Sequence, residues 1–172
     1  MKGFTITEAL VSILIFSIIV VALYLGLATG QRLWFTGDTT TELRQNVLLG
    51  IIPLTRELRQ SAPAKTSLSA GTSGSSITFK IPNDNNGDGS TVDNAGNIEW
   101  SSDISYARDG SNQLIRTQAG ASSIISQNIS ALEFSRPSGE DLILQIDITA
   151  RKNDAQGILI QDTEQAVIKM RN

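Results

Sequence analysis

The sequence contains neither cysteine nor histidine. Without cysteine there are no disulfides, no thiolate nucleophiles and no cysteine-containing metal sites, although exported proteins can lack disulfides, so the compartment stays open. Without histidine a Ser-His-Asp triad, a His-ligated zinc and an imidazole base are excluded. An enzyme would have to work with carboxylates, lysines and hydroxyls. Nothing in the spacing of Glu57, Asp103, Glu133 and Asp141 pairs them, and no enzymatic activity is expected. Positive charge is not in excess either. Fourteen Lys and Arg against seventeen Asp and Glu give a net charge of -3, which leaves no chain-wide basic field for nucleic acid. Aromatic residues make up only 5% of the chain, too few to suggest a base-stacking groove, so a ligand-binding or DNA-uptake role finds no support in composition.

Charge is also missing from one long interval. Between Glu8 and Arg32 the sequence reads ALVSILIFSIIVVALYLGLATGQ. About 20 apolar residues cross a bilayer core as a helix, and lipid offers a backbone no partner but itself, so β-branched residues are no obstacle. A membrane helix is expected from about residue 5 to about residue 31. A cleaved secretory signal is the alternative, with Gly26-Leu27-Ala28 as its small-residue site. Against it stand a single basic residue, Lys2, an overlong apolar run and an acidic residue at its start.

That acidic residue, Glu8, has two readings. Thr5-Ile6-Thr7-Glu8 fits the S/T-x-x-E capping box, in which the carboxylate satisfies free amides of the first turn. Alternatively, a carboxylate at the edge of the bilayer needs a partner, because burying it unpaired costs up to about 2.5–3.5 kcal/mol near the membrane centre and less at its rim. The partner would be an amine of another subunit.

Gly3-Phe4-Thr5-Ile6-Thr7-Glu8, followed by an uninterrupted apolar helix, resembles the signal of type IV pilins and type II secretion pseudopilins. The resemblance implies that a prepilin peptidase cuts between Gly3 and Phe4 and methylates the new Phe4 amine. It also implies that the Glu8 carboxylate neutralises the Phe4 ammonium of an adjacent subunit and so sets assembly register. Thr7 stands where the family usually carries an aliphatic residue. The implied partners are other pilin or pseudopilin subunits of a heteromeric filament tip, the prepilin peptidase and the inner membrane. A single-pass protein with a periplasmic globular part, filament-associated after assembly, is the implied location.

Beyond the apolar interval, Leu43, Val47, Ile51, Leu54 and Leu58 form one stripe of an amphipathic helix expected to pack on the chain's own sheet. Gly37-Asp38-Thr39 is expected to loosen or recap this helix, and Pro53 to bend or restart it by removing the bond to Leu49. A Ser/Gly/Thr-rich loop follows Pro63, and then strand signals at 76–81, 97–100, 103–108, 112–117, 131–136, 141–150 and 164–171. Asp109-Gly110 marks a hairpin turn. The expected fold is α+β, a long N-terminal helix packed on an antiparallel sheet. The segments are a leader (1–3), a membrane or filament-core helix (4–31), an amphipathic continuation (32–62) and a β-rich domain (63–172). LTRELRQSAP, YARDGSNQLIRT and the closing IKMRN resemble the larger minor subunits, the J-type pseudopilins and W-type minor pilins. The resemblance implies a structural subunit at or near the filament tip that helps initiate assembly.

The loop NDNNGDGSTVDNAGN places Asp84, Asn86 and Asp88 at positions 1, 3 and 5 of a calcium loop, with Gly89 at position 6. Position 12 is Ala95 where a bidentate glutamate belongs, and Asp93 or Glu99 would serve only along a different loop path. The alternative is a solvated Asn/Gly hairpin that needs no ion.

Overall fold

In a computed structural model, which describes residues 5–171, Thr5 is extended (φ -84°, ψ 151°) and caps a single helix, α1, Ile6–Leu58. The helix runs through Gly37, Gly50 and Pro53 as one element, so neither the recapping at 37–39 nor the restart at Pro53 that the sequence allowed occurs, and it ends at Leu58. The loss at Pro53 is one hydrogen bond to Leu49, a residue on the exposed side of α1. On the opposite side the helix is held by packing. Thr39, Leu43, Val47, Gly50, Ile51, Leu54 and Leu58 are buried, so every residue of the apolar stripe faces the core.

In the N-terminal half three hydroxyls bond within the helix. Ser12 and Thr29 donate to the carbonyls one turn back, Glu8 and Leu25, at 2.8 and 2.9 Å, and Ser17 does the same to Ile13. A hydroxyl so bonded can face an apolar surrounding without an unmet donor.

Past a single 3-10 turn at Pro63–Lys65, eight strands form among the described residues: β1 (Ser73–Gly74), β2 (Ser76–Phe79), β3 (Ile104–Arg108), β4 (Leu114–Gln118), β5 (Ala121–Ser126), β6 (Ile129–Ser135), β7 (Ile143–Asn153) and β8 (Leu159–Lys169). They make two antiparallel four-stranded sheets, ordered β1-β6-β7-β8 and β2-β3-β4-β5. The chain is therefore α+β, one long N-terminal apolar helix against an antiparallel β-domain. Alternate residues of β7, namely Leu144, Ile146, Ile148 and Ala150, enter one core with the α1 stripe, Ile77, Phe79, Ile104, Tyr106, Leu114 and Phe134. Helix α1 lies on β7 and β8 and also reaches β5.

The strand expected at 97–100 is absent. Only single bridges, Val92 to Ile98 and Pro82 to Trp100, form there: the Asp93 carboxylate takes the Asn97 amide, and the Glu99 backbone is shared between Thr91 and Asn83 on two different loop segments. Strand β5 was not expected. ASSIIS carries no clear alternation, and it is recruited by a tight turn at Ala119 and Gly120, both in the left-handed region (φ 51° and 82°). The β3–β4 turn is wider than Asp109-Gly110 alone: Asn112 takes the left-handed conformation (φ 61°), and the Asp109 carboxylate accepts the amides of Ser111 and Gln113 at 2.9 and 2.7 Å.

Helix and sheet approach closely at Gly50, where an added Cβ would lie 2.9 Å from Leu114 Cδ2. At Gly37 the same atom would meet nothing within 4 Å. Gly50→Val is expected to destabilise the protein by about 1–3 kcal/mol through overpacking. Gly37→Val should leave the midpoint of thermal unfolding near wild type, and circular dichroism of the two variants checks the contrast.

Candidate functional site: the capped, uncovered helix

Glu8 closes the capping box in both directions. The Thr5 amide and hydroxyl each donate to Glu8 Oε2 at 2.9 Å, and the Glu8 amide donates to Thr5 Oγ1 at 3.3 Å. Within a single chain, then, the carboxylate answers its own helix start. Gly3 and Phe4, the expected cleavage and methylation positions, lie outside the described residues.

From Ile6 to Leu27 the large apolar side chains, Leu10, Phe16 and Leu23 among them, are exposed, and the span is uncovered by any other described part of the chain. The segment is long and apolar enough to cross a membrane. Glu8 is the one acidic group at its rim, since the next charge is Arg32. The site is thus an apolar cylinder with a carboxylate at one end, shaped for lipid or for other helices rather than for a small substrate.

Residues 1–24 match the family model described as the prokaryotic N-terminal methylation motif. The N-terminus carries a type IV pilin-like prepilin signal. At this coarse level the match supports a pilin- or pseudopilin-like structural subunit, and together with the apolar helix it fits a membrane-anchored protein. No curated protein and no solved structure matches the chain.

Elsewhere the carboxylates are tied to basic side chains or to loop amides. Glu57 bonds to Arg116, Asp103 lies 3.5 Å from Lys80, and Asp141 lies 4.0 Å from Arg136, each on separate elements. In the loop at 83–97, Asp84 accepts the amides of Gly87 and Gly89 at 2.6 and 2.8 Å, and Asp88 accepts that of Ser90 at 2.8 Å. The Asn86 side-chain amide bridges Asp88 and Glu99 at 3.0 and 2.9 Å. Asn86, Asp88 and Glu99 are therefore brought together, whereas Asp84 is turned onto its own loop amides and Asp93 closes its own turn on the amides of Ala95 and Asn97. The Gly89 amide foremost holds the Asp84 carboxyl below the usual range, and the Asn97 amide does so for Asp93. Among the described residues no group of three or more acidic side chains is placed to hold a metal ion.

One cluster is not legible from spacing. Glu57, near the C-terminal end of α1, accepts Arg116 Nε at 3.0 Å and the Tyr106 hydroxyl at 3.1 Å, and Arg116 also donates to Gln118 Oε1 at 2.7 Å. Tyr106 and Arg116 are cross-strand partners of β3 and β4; Tyr106 is fully buried, while the Arg116 and Glu57 side chains are each about one-fifth exposed. This clamp fixes the second sheet to the helix. Burial, and then the negative charge of Glu57, push the Tyr106 hydroxyl well above its usual range. Burial alone would lower Arg116, but the bond and charge of Glu57 outweigh it and raise it.

Because the folded state holds Tyr106 neutral while the unfolded chain ionises near pH 10, its contribution is complete below about pH 10 and is lost as pH rises toward the raised folded value. Stability measured by denaturant titration should therefore fall above about pH 10 more steeply in wild type than in Tyr106→Phe. Equal alkaline slopes would contradict the clamp.

Proposed function

We propose that the protein is a minor pilin or pseudopilin, a structural subunit of a type IV pilus or type II secretion filament that sits at or near the tip and aids initiation of assembly. The observation that carries this reading is an apolar helix, uncovered along its first half and bearing a lone carboxylate at its start, under a β-domain fixed to its second half. Lipid covers the helix while the subunit waits in the inner membrane with its β-domain in the periplasm. Neighbouring helices cover it in the filament, through head-to-tail contacts that repeat without closing.

In this reading residues 1–3 are the leader, 4–31 the filament-core helix, 32–62 its continuation and 63–172 the globular domain. Prepilin peptidase cuts between Gly3 and Phe4 and methylates Phe4. The Glu8 carboxylate then exchanges its own Thr5 for the ammonium of an adjacent subunit, since neither charge is stable alone among apolar helices. The J-type and W-type reading rests on the stretches LTRELRQSAP, the Asn/Asp/Gly loop before IEW, YARDGSNQLIRT and IKMRN.

Glu8→Leu should insert into the membrane as wild type does but enter filaments at least about tenfold less, since leaving one amine unpaired costs more than about 1.4 kcal/mol. Gly3→Val should instead retain the leader, seen as an uncut mass. Normal incorporation of Glu8→Leu, counted by quantitative mass spectrometry of sheared filaments, would contradict the register role.

The acidic loop enters this reading as a hairpin held by its own hydrogen bonds. Calorimetry of the full chain in detergent is expected to show no saturable calcium isotherm; a stoichiometric one would give the candidates Asp84, Asn86, Asp88 and Asp93 a metal role.

A further inference from the structure

Strands β7 and β8 run down the helix toward its apolar half. At the upper end the Arg171 amide donates to Ser61 and the Met170 amide to Leu142. At the lower end Lys152 Nζ lies 2.7 Å from Glu42, and the Thr36 hydroxyl donates to Asp154 Oδ2 at 3.3 Å. The lengths agree. Ten residue steps along β7 span about 34 Å, and the 22 steps of α1 from Leu58 back to Thr36 span about 33 Å.

The β7–β8 turn, beyond Asp154, is thereby set level with Leu33–Phe35. Buried Asp154 builds that turn by accepting the amides of Gln156 and Ile158 at 2.9 and 2.8 Å. Two large apolar residues are nonetheless left outside: Ile158 is 50% and Leu159 54% exposed, and Trp34, on another face of the helix near the same level, is 77% exposed.

The membrane supplies the level. A hydrocarbon core of about 30 Å takes about 20 helical residues, from Glu8 to about Ala28, and the headgroup layer of about 5–7 Å carries the helix on to Arg32–Trp34. Tryptophan beside arginine is the chemistry of that layer. On the reading that residues 4–31 span the membrane, we propose that Ile158 and Leu159, together with Leu33 and Trp34, form a collar. It sits at the outer side of the headgroup layer of the periplasmic leaflet, giving the β-domain its own contact with lipid. The contact holds the domain against the bilayer before assembly and is broken when the subunit is drawn out.

The cysteine-free chain accepts single labels directly. Full-length Ile158→Cys, Ser17→Cys and Ser90→Cys proteins, each carrying an environment-sensitive fluorophore, would be placed in phosphatidylethanolamine–phosphatidylglycerol vesicles with shallow nitroxide lipids. The collar predicts blue-shifted, quenched emission at 158, and unquenched emission at 90, on the loop beside the far end of α1. Emission at 158 matching that at 90 while 17 is quenched would overturn the collar but leave the membrane span standing. Shielding of 158 that appears only when another subunit is added would also overturn it, in favour of a protein partner. An unquenched label at 17 would overturn the span itself, and the collar with it.

Discussion

The apolar surface of residues 6–35 has no partner in its own described chain, and the rest of the structure is arranged around that fact. A helix with this surface is stable only where lipid or other apolar helices exclude water. Its hydroxyls are turned back onto carbonyls of the preceding turn, and its one early carboxylate is held by Thr5 at the first turn. Between Glu8 and Arg32 its serine and threonine hydroxyls are thus bonded within the helix, which favours exchanging one apolar surrounding for another.

The second half of the same helix has the opposite property. Leu43, Val47, Ile51, Leu54 and Leu58 are closed into the core, Gly50 admits Leu114 to the helix surface, and Glu57 ties β3 and β4 to the helix end. Contacts at Glu42–Lys152 and Thr36–Asp154 continue the attachment downward. Because α1 is continuous, a displacement of its apolar half is transmitted to the whole β-domain. That coupling is what a subunit moved between membrane and filament requires.

Much of this was written in local pattern. The five-residue stripe is buried at every position, and the α+β class followed from one long helical period and then repeated alternation. The departures share a cause, which is that tertiary and side-chain contacts decide what local preference leaves open. Asn-Ile-Glu-Trp at 97–100 has strand-forming residues, but its backbone pairs alternately with Thr91 and Asn83 on two different loop segments, and single bridges result instead of a ladder. Ala121–Ser126 looks like linker and becomes a strand because β4 offers it an edge. Pro53 is carried inside the helix because the core grips both sides of it. The Glu57–Tyr106–Arg116 clamp joins residues 49 and 59 positions apart, and no short spacing announces it.

Everything functional turns on whether the N-terminal signal is used as its pattern reads. The most direct measurement is the N-terminal sequence and mass of the mature protein from its native host. The account predicts a chain that begins at Phe4 with a methylated amine. An intact Met1 would leave Glu8 as no more than a helix cap on a plain membrane anchor, and a start near Thr29 would make the protein a secreted domain; either result would contradict it.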